Sequence, residues 1–279
     1  MFKNLQILKF LDGGNITIDE LQSFLERQAF SPCQKFELES IGWVMPISSN
    51  EKLVHQVNDC LFFSFKKQER LLPSKVIKER LDEKVLEIEL NQSRKVRLRE
   101  KRVLKDDIIH ELTPQAFTTC STINAYIYPK KGWLVIDTPS IKKAEELVSF
   151  LRHTFGTLPV APFKFNNSIS TVLTELVEEN REDLYFNMLD ACVMLDDNGS
   201  KATCQQQEML SSEIKTHIKA GKRVQRLKLE YDKSIQFSVD DTFAIKQIKF
   251  VGLIDEQIKE VDAEDEYQRF LADNTIMIH

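Results

Sequence analysis

The sequence lacks the short motifs by which most phosphate-binding and metal-dependent enzymes are recognised. Its eight glycines form neither the G-x-x-x-x-G-K loop that cradles phosphate groups nor the G-x-G-x-x-G turn that holds dinucleotides. No H-E-x-x-H pair is present, and the five histidines do not have the spacing of metal ligands. We therefore expect no cofactor, no bound metal and no enzymatic activity. Carboxylates that folding brings together could still form an acidic metal site, so a metal-dependent nuclease is kept as an alternative.

Paired cysteines and long apolar runs are also missing. The five cysteines are odd in number and widely spaced, without a C-x-x-C pair: Cys33, Cys60, Cys120, Cys192 and Cys204. This pattern argues against a disulfide framework and a zinc site, and it is typical of free thiols in a reducing compartment. The N-terminus has no signal-peptide pattern, and no stretch approaches the roughly 20 apolar residues of a membrane span. We therefore expect a cytoplasmic protein that does not bind a membrane.

Basic residues are fewer than acidic residues over the whole chain. The 38 Lys and Arg residues face 43 Asp and Glu residues, which gives a formal net charge of −5. Such a chain has no generally basic surface, so any nucleic-acid site has to be a local patch. The acids crowd the C-terminal segment: Asp255, Glu256, Glu260, Asp262, Glu264, Asp265, Glu266 and Asp273. We predict an acidic helix from Ala263 to about Leu271, followed by a short apolar tail.

Residues 73–117 carry the clearest helical pattern. Pro73 suits the first position of a helix, where its missing N–H has no partner to lose. Two apolar stripes at helical spacing follow, and Pro114 ends the second. Their members are Ile77, Leu81, Val85 and Ile88 in the first stripe, and Leu104, Ile108 and Leu112 in the second. The pattern predicts either two helices folded back as a hairpin or one long broken helix.

Between the two stripes the chain is strongly basic. We call these residues the tip cluster: Arg94, Lys95, Arg97, Arg99, Lys101, Arg102 and Lys105. Glu100 is the single acid among them, and the cations point in nearly every direction around a helical turn. A helix segment with charges on nearly every side has no apolar face to bury, so we expect these cations to project from the fold. They are either a solvated tip or a set of phosphate contacts, which need no particular base sequence.

A second basic cluster occurs later in the chain. Its members are Lys215, Lys219, Lys222, Arg223, Arg226 and Lys228. The first three are spaced three to four residues apart, which predicts that they share one helical face. Charges on one side make this the better geometric candidate for a DNA-facing surface. A solvated helix face is the alternative.

The rest of the chain predicts an α+β fold, with antiparallel sheets covered by helices and a protruding basic helical hairpin. Apolar patterns predict the following strands: Met1–Leu11, Val57–Phe65, 122–128, 133–137, Phe186–Leu195, Lys201–Gln205 and three antiparallel runs from Val224 to Phe250. Caps and apolar spacing predict the following helices: Thr17 to about Ala29, Ser140 to Gly156, Ser170–Glu179, and a helix that starts at Ser211 or Ser212 and runs to about Lys219. Glu20 stands three residues after Thr17, as in a capping box.

We divide the chain into four parts by these patterns. They are an N-terminal α+β part (1–72), the helical hairpin (73–117), a β-hairpin with a helix (118–160), and a C-terminal α+β region (161–279) that ends in the acidic helix.

Several phrases, in order along nearly the whole chain, resemble the RdgC family of recombination-associated DNA-binding proteins. They include Gly42-Trp43-Val44, Leu72-Pro73-Ser74, Thr113-Pro114-Gln115-Ala116-Phe117 and Gly156-Thr157-Leu158-Pro159-Val160. The resemblance implies a homodimer closed into a ring, with double-stranded DNA passing through a positively lined hole. It also implies a role in restraining RecA-dependent recombination and in replication, with the protein associated with the nucleoid. Members of that family usually extend beyond the point where this chain ends.

The resemblance also assigns roles to three residues. Gln206 and Gln207 lie in a loop that resembles a projecting finger proposed to touch DNA, although a lysine commonly stands in the family where this chain has Gln206. Glutamine still offers hydrogen bonds to phosphates or base edges, and a plain polar loop is the alternative. Phe117 matches an interface residue that closes the ring. From its position beside Pro114 alone, a core plug or an aromatic anchor in a dimer contact is expected.

A different class of function stays open at this point. The protein could modulate the recombinase by binding it or replication factors directly through the acidic C-terminus, without touching DNA.

Overall fold

The computed structural model describes residues 1–48, 51–179, 185–252 and 266–278. Within these ranges the protein is α+β, with two antiparallel sheets and seven α-helices. The chain divides into two compact units. Residues 28–44 and 65–122 form the smaller unit, and the described residues of 1–27, 45–64 and 123–279 form the larger one. The predicted fold class of antiparallel sheets with packed helices is confirmed.

The first sheet has seven strands in the order β2-β4-β5-β6-β1-β7, with β3 paired to β4. The strands are β1 (Gln6–Phe10), β2 (Glu39–Val44), β3 (His55–Val57), β4 (Cys60–Arg70), β5 (Thr118–Tyr128), β6 (Trp133–Ile136) and β7 (Val160–Pro162). The predicted hairpin of β5 and β6 is confirmed, with Tyr128 opposite Trp133. Gly132 closes its turn at φ 64°, a left-handed conformation that favours glycine.

The strand predicted at Val57–Phe65 is wrong in one respect, because a tight turn divides it. Val57 ends β3 and lies opposite Cys60, the first residue of β4. Asn58 and Asp59 form the connection, with Asn58 at φ 51°. Asparagine tolerates the left-handed region better than most residues, so this position can turn without a glycine.

Helices α1 (Ile18–Glu26) and α4 (Ile141–Phe155) belong to the larger unit and touch through Phe24 and Phe155, whose ring centroids are 4.8 Å apart. The predicted capping box of α1 is confirmed, because Thr17 and Glu20 exchange backbone and side-chain hydrogen bonds. The helix ends at Glu26, earlier than predicted. Ser140 caps α4 as predicted, by accepting a hydrogen bond from the Lys143 N–H.

The last helix, α7 (Glu266–Ile278), packs into the larger unit. The ring centroids of Phe270 and Phe62 are 5.5 Å apart in an edge-to-face arrangement, and Phe62 belongs to a core that also contains Phe2. The predicted start of the acidic helix, Ala263, lies outside the described residues, and so do most of the C-terminal acidic residues. The predicted short tail is wrong, because the helix continues to Ile278 and its apolar residues cover the core.

The second sheet has five strands in the order β12-β11-β10-β8-β9. The strands are β8 (Phe186–Leu195), β9 (Lys201–Gln205), β10 (Arg223–Tyr231), β11 (Ile235–Asp240) and β12 (Ile245–Phe250), as the sequence pattern predicted. Helices α5 (Ile169–Glu179) and α6 (Ser212–Lys219) pack on one face. Leu173 of α5 and Ile214 of α6 pack in a core with Cys192, Met194 and Leu227 from the strands.

The smaller unit contains helices α2 (Ser74–Gln92) and α3 (Leu98–Leu112), which contact each other. Of the two predicted arrangements, the folded-back pair is therefore present. Pro73 stands one position earlier than predicted, as the residue preceding the helix, and both predicted stripes face inward. The Lys84 ammonium lies 2.8 Å from the Glu111 carboxylate and joins the two helices.

Pro114 lies in a short 3-10 turn that ends α3, as predicted. None of the helices in the described ranges is both long and apolar enough to cross a membrane.

Candidate nucleic-acid interface

The tip cluster occupies the connection between α2 and α3 and the first turns of α3. Ser93 ends α2 in a left-handed conformation at φ 49°. The chain is then anchored by Val96, which is 7% exposed and whose N–H donates to Glu89 Oε1 at 3.0 Å. These contacts fix the backbone, so the neighbouring cations are held on a defined loop.

Arg94 differs from the other cations of the tip cluster because it is already paired. Its guanidinium forms two hydrogen bonds to the Glu100 carboxylate, at 2.7 and 2.6 Å, and a third to Gln92 Oε1 at 2.7 Å. The hydrogen bonds from Arg94 lower the pKa of Glu100 and raise that of Arg94. Arg94 therefore links the loop to α3, and its charge is largely neutralised by Glu100.

The remaining cations of the tip cluster have no carboxylate within ion-pairing distance in the ranges that the structure describes: Lys95, Arg97, Arg99, Lys101, Arg102 and Lys105. Five of the six are exposed, and Lys101 is half-buried. Repulsion among them raises the free energy of this surface. A polyanion would remove that repulsion, because each bound phosphate offsets one of these charges.

The start of α3 strengthens the positive field of the tip cluster. Arg97 precedes the helix without a side-chain hydrogen bond to the first free N–H groups. Unpaired N–H groups and the helix dipole both attract anions at this end, whereas cations there are unfavourable by a few tenths of a kcal/mol each, to about 1 kcal/mol. Arg99 and Arg102 nevertheless lie in the first five residues of the helix. The arrangement is suited to bind phosphate groups.

The second basic cluster is divided by the structure into free and engaged cations. Lys215 and Lys219 are exposed on α6, and Arg223 and Arg226 are exposed on β10. None of the four has an ion pair with a described residue. The prediction that Lys222 shares a helical face with the two lysines is wrong, because α6 ends at Lys219.

Lys222 instead holds the turn between β8 and β9. Its ammonium lies 3.2 Å from Asp196 Oδ2, 2.8 Å from the Ser200 carbonyl oxygen and 2.7 Å from Ser200 Oγ. The side chain is 11% exposed. Hydrogen bonds from the Ser200 N–H and then from Lys222 lower the pKa of Asp196. Lys222 is therefore engaged within the fold, and we leave it out of the interface proposed below.

The two glutamines of the finger-like loop have different surroundings. Gln206 is exposed, has φ 54° and makes no side-chain hydrogen bond to a described residue. Gln207 is half-buried, and its amide donates to Ser211 Oγ at 3.3 Å and to the Glu213 carboxylate, at the start of α6. Gln206 is therefore the one with a free amide, whereas Gln207 fastens the loop to the helix.

A polar cleft that sequence reasoning missed lies beside this loop. It has a volume of about 350 Å³, and we call it the glutamine cleft: Asp190, Ala191, Gln205, Gln206, Lys228, Gln236, Phe237, Ser238, Gln247 and Lys249. Lys228 is paired with Asp190 at 2.8 Å, and Gln247 has φ 57°. The alternation of β12 does put Lys249 on a polar face, but only the strand order shows that this face meets the loop.

Phe117 follows the 3-10 turn in the smaller unit and is 84% exposed. The core-plug alternative for this residue is therefore wrong. Its carbonyl oxygen accepts a hydrogen bond of 2.7 Å from the Leu71 N–H, and Leu71 is itself half-exposed. A cavity of about 400 Å³ lies in the same unit, and its lining combines apolar residues such as Leu71, Leu72 and Ile77 with the charged Glu39, Glu69 and Arg70. An aromatic ring that is exposed to this extent is typical of a protein contact.

No group of three or more His, Cys, Asp or Glu side chains in the described ranges is arranged to hold a metal ion.

The comparisons with known proteins agree over the full length of the chain. A family model described as "Putative exonuclease, RdgC" matches residues 1–279. A protein of Psychromonas ingrahamii named recombination-associated protein RdgC is 37% identical over 279 residues, which cover 99% of this chain and 92% of that protein. Proteins with the same name from Proteus mirabilis and Salmonella typhimurium are 35% and 36% identical, with the same coverage. The chain belongs to the RdgC family.

Proposed function

We propose that the protein is a sequence-nonspecific double-stranded DNA-binding protein that acts as a homodimeric ring and restrains RecA-dependent recombination. In this proposal it acts at the nucleoid and at replication, and it binds DNA without cleaving it. The observation that carries the proposal is the tip cluster, where six cations that form no ion pair with a described carboxylate lie on an anchored loop and helix start. In a chain of net charge −5, such a concentration is best explained by a polyanionic ligand.

The expected mode of contact follows from the chemistry of the side chains. Lys and Arg bind phosphate oxygens of any duplex and gain affinity from the release of counterions. Three of the four exposed cations of the second basic cluster, Lys215, Lys219 and Arg223, add contacts of the same kind. Gln206 has no charge, so its contribution is a hydrogen bond to phosphate or to a base edge. Binding is therefore strong, dependent on salt and indifferent to sequence.

The dimer in the proposal uses Phe117 as its aromatic anchor. In a symmetric dimer the same surface of each protomer meets its copy, so each Phe117 can enter the cavity of the other protomer and contact its apolar residues Leu71, Leu72 and Ile77. The cavity volume of about 400 Å³ is sufficient for a phenyl ring. Burying the ring from its 84% exposed state supplies about 1.5–3 kcal/mol per protomer.

The link to recombination is supported by the names of the relatives, which are recombination-associated proteins. A protein that encircles duplex DNA limits the access of a recombinase to that duplex by occupying it, and this needs no catalytic step. Direct binding to RecA is a further partner contact in the proposal.

Charge reversal in the second basic cluster tests the proposal. The variant Lys219→Glu/Arg223→Glu should lose at least about 60-fold in affinity for every duplex at 0.1 M salt, because two phosphate contacts disappear. The matched control Lys142→Glu/Lys143→Glu reverses two exposed charges in the first turn of α4 and should keep its affinity. Equal affinity in both variants would remove the second basic cluster from the interface.

Two competing functions give different results in the same experiments. A protein-only modulator of the recombinase would show no DNA binding even at low salt. A nuclease, which the description of the family model suggests, would shorten an end-labelled duplex in the presence of Mg²⁺ or Mn²⁺. We expect intact duplex after incubation with either ion, and progressive shortening would overturn the non-catalytic part of the proposal.

A further inference from the structure

The hairpin of β8 and β9 brings two of the five cysteines face to face. Cys192 lies directly opposite Cys204, in a register that runs from Ala191 and Gln205 to Leu195 and Lys201 without a shift. Directly opposite residues of antiparallel strands have Cα atoms about 4.5 or 5.5 Å apart. Both separations fall within the roughly 4.4–6.8 Å that a disulfide bond spans. The backbone is therefore already in position for a cross-strand disulfide.

The surroundings of the two thiols differ, and the difference determines which thiol reacts first. Cys192 is 2% exposed in the core of the second sheet, and burial and then the neighbouring Cys204 raise the pKa of its thiol. Cys204 packs against the same core but is only half-buried, so solutes reach it first. An oxidant therefore reaches Cys204 first. The Cys192 thiol, which the raised pKa keeps protonated, lies opposite it on β8.

None of the other three cysteines lies directly opposite a cysteine in a described strand pair, although Cys120 is near enough to Cys33 to contribute, after burial, to the raised pKa of the Cys33 thiol. Cys60 lies opposite Val57, and the Cys33 thiol donates to the Gln68 carbonyl oxygen at 3.4 Å. Cys120 is exposed on β5. They provide internal controls for a reaction that depends on register.

We propose that Cys192 and Cys204 are a modification site at which a peroxide-class oxidant forms a cross-strand disulfide. The Cys204 thiol gives up its proton, the thiolate attacks one oxygen of the peroxide and the O–O bond breaks, which forms a sulfenic acid and a hydroxide that takes up the released proton to leave as water. Cys192 sulfur then attacks Cys204 sulfur, the S–O bond breaks, and the thiol proton leaves with the hydroxyl group as a second water. Two thiols and one hydrogen peroxide become one disulfide and two waters. A thiol reductant reverses the change by exchange.

The disulfide acts on the element that leads into the finger-like loop. β9 is one of the two edge strands of its sheet, and within the described residues it pairs with β8 alone. A covalent link at Cys204 fixes β9 directly before Gln205–Gln207 and α6, and hence restricts the movement of Gln206. The effect on DNA binding rests on the proposed function, whereas the formation of the disulfide does not.

The test treats the reduced full-length protein with hydrogen peroxide, quenches it, and counts thiols after denaturation. We expect the count to fall from five to three, with complete recovery after a thiol reductant. Trypsin cleaves after Lys201 and so separates the two cysteines, and the disulfide-linked pair of peptides is identified by mass spectrometry without reduction. Slower amide exchange in 201–205 of the oxidised protein reports the fixed strand.

Matched variants distinguish this site from general oxidation. Cys204→Ser should prevent the loss of both thiols, whereas Cys120→Ser should leave the linked peptide pair unchanged. A Cys204 oxidised to sulfinic acid without a link to Cys192, or a disulfide between other cysteines, would overturn the proposal. Because none of these readouts uses DNA, a protein that forms the disulfide but binds no DNA would refute the proposed function and keep this inference.

Discussion

Removal of three cations from the tip cluster should reduce both DNA affinity and its dependence on salt by predictable amounts. The variant Arg97→Ala/Arg99→Ala/Arg102→Ala keeps the Arg94–Glu100 pair and the buried Val96, which fix the loop. The fold should therefore be retained. Because three cations disappear from the start of α3, helix stability should be unchanged or slightly higher.

The size of the effect follows from counterion release. Each phosphate contact contributes about 0.9 to the slope of log K against log salt, so three lost contacts reduce the slope by about 2.7 for each tip that touches DNA. The same relation gives an affinity loss of about 500-fold at 0.1 M salt and about 80-fold at 0.2 M salt. The loss should be equal for duplexes of unrelated sequence, because phosphates carry no base identity.

The assay is fluorescence anisotropy of a labelled duplex, titrated at several salt concentrations. A control variant, Lys75→Ala/Lys78→Ala/Arg80→Ala, removes the same charge from the other end of α2, where the side chains are also exposed. It should keep both the slope and the affinity. If both triple variants lose the same affinity, the effect is one of net charge, and the reasoning from the tip cluster is refuted.

Three further variants test the roles of Phe117, Lys222 and His55. Phe117→Ala should weaken the dimer by about 100-fold or more in analytical ultracentrifugation, from about 3 kcal/mol of lost burial in two copies, while thermal stability is kept because the ring is 84% exposed. Lys222→Ala should lower the free energy of unfolding in urea by about 2 kcal/mol, because three hydrogen bonds to the β8–β9 turn are lost. His55→Phe should flatten the pH dependence of stability between pH 7 and 5, since burial lowers the pKa of His55 below its ordinary value of 6.5.

The sign of the His55 effect follows from proton linkage. The neutral imidazole is favoured in the folded state, and the unfolded chain binds the extra proton. Stability is therefore complete above the unfolded pKa of 6.5 and falls as the pH drops below it. Carboxylates whose pKa is lowered by hydrogen bonds, such as Glu100 and Asp196, lose their contribution only at more acidic pH. Asp137, whose pKa is raised by burial, changes stability with pH in the opposite direction, but it is present in both proteins, so the difference between the two pH profiles reports His55.

Each of these variants has a control and an outcome that contradicts it. Leu11→Ala removes an apolar side chain that is 71% exposed and should not affect the dimer. If Phe117→Ala dimerises normally, Phe117 is not the anchor of the dimer. Lys201→Ala lies in the same β-hairpin as the turn held by Lys222 but is exposed, so it should leave stability nearly unchanged. A pH profile of His55→Phe that matches the original protein would show that another group titrates.

The local patterns of the sequence predict much of this fold. The two apolar stripes placed Ile77, Val85 and Ile108 on the inner faces of α2 and α3, because a helix fixes which positions share a side. The capping box of Thr17 and the alternation of the second sheet were equally readable. These features depend on neighbours within a few residues, so one sequence is sufficient to recognise them.

The features that were missed depend on contacts between distant residues. Lys222 meets Ser200 across 22 positions, and Gln247 joins Gln206 at the glutamine cleft only through the order of five strands. Nothing within a few residues of either position signals the contact. The same reason explains why the sequence showed seven cations at the tip but not that Arg94 is neutralised by Glu100, which requires the folded loop.

The most direct test of the central claim is a salt titration of duplex binding by the unmodified protein. We expect a linear fall of log K with log salt, with a slope of several units that is the same for duplexes of unrelated sequence. Weak binding with a slope near zero, or no binding at low salt, would contradict the claim that the unpaired cations of the tip cluster bind DNA phosphates.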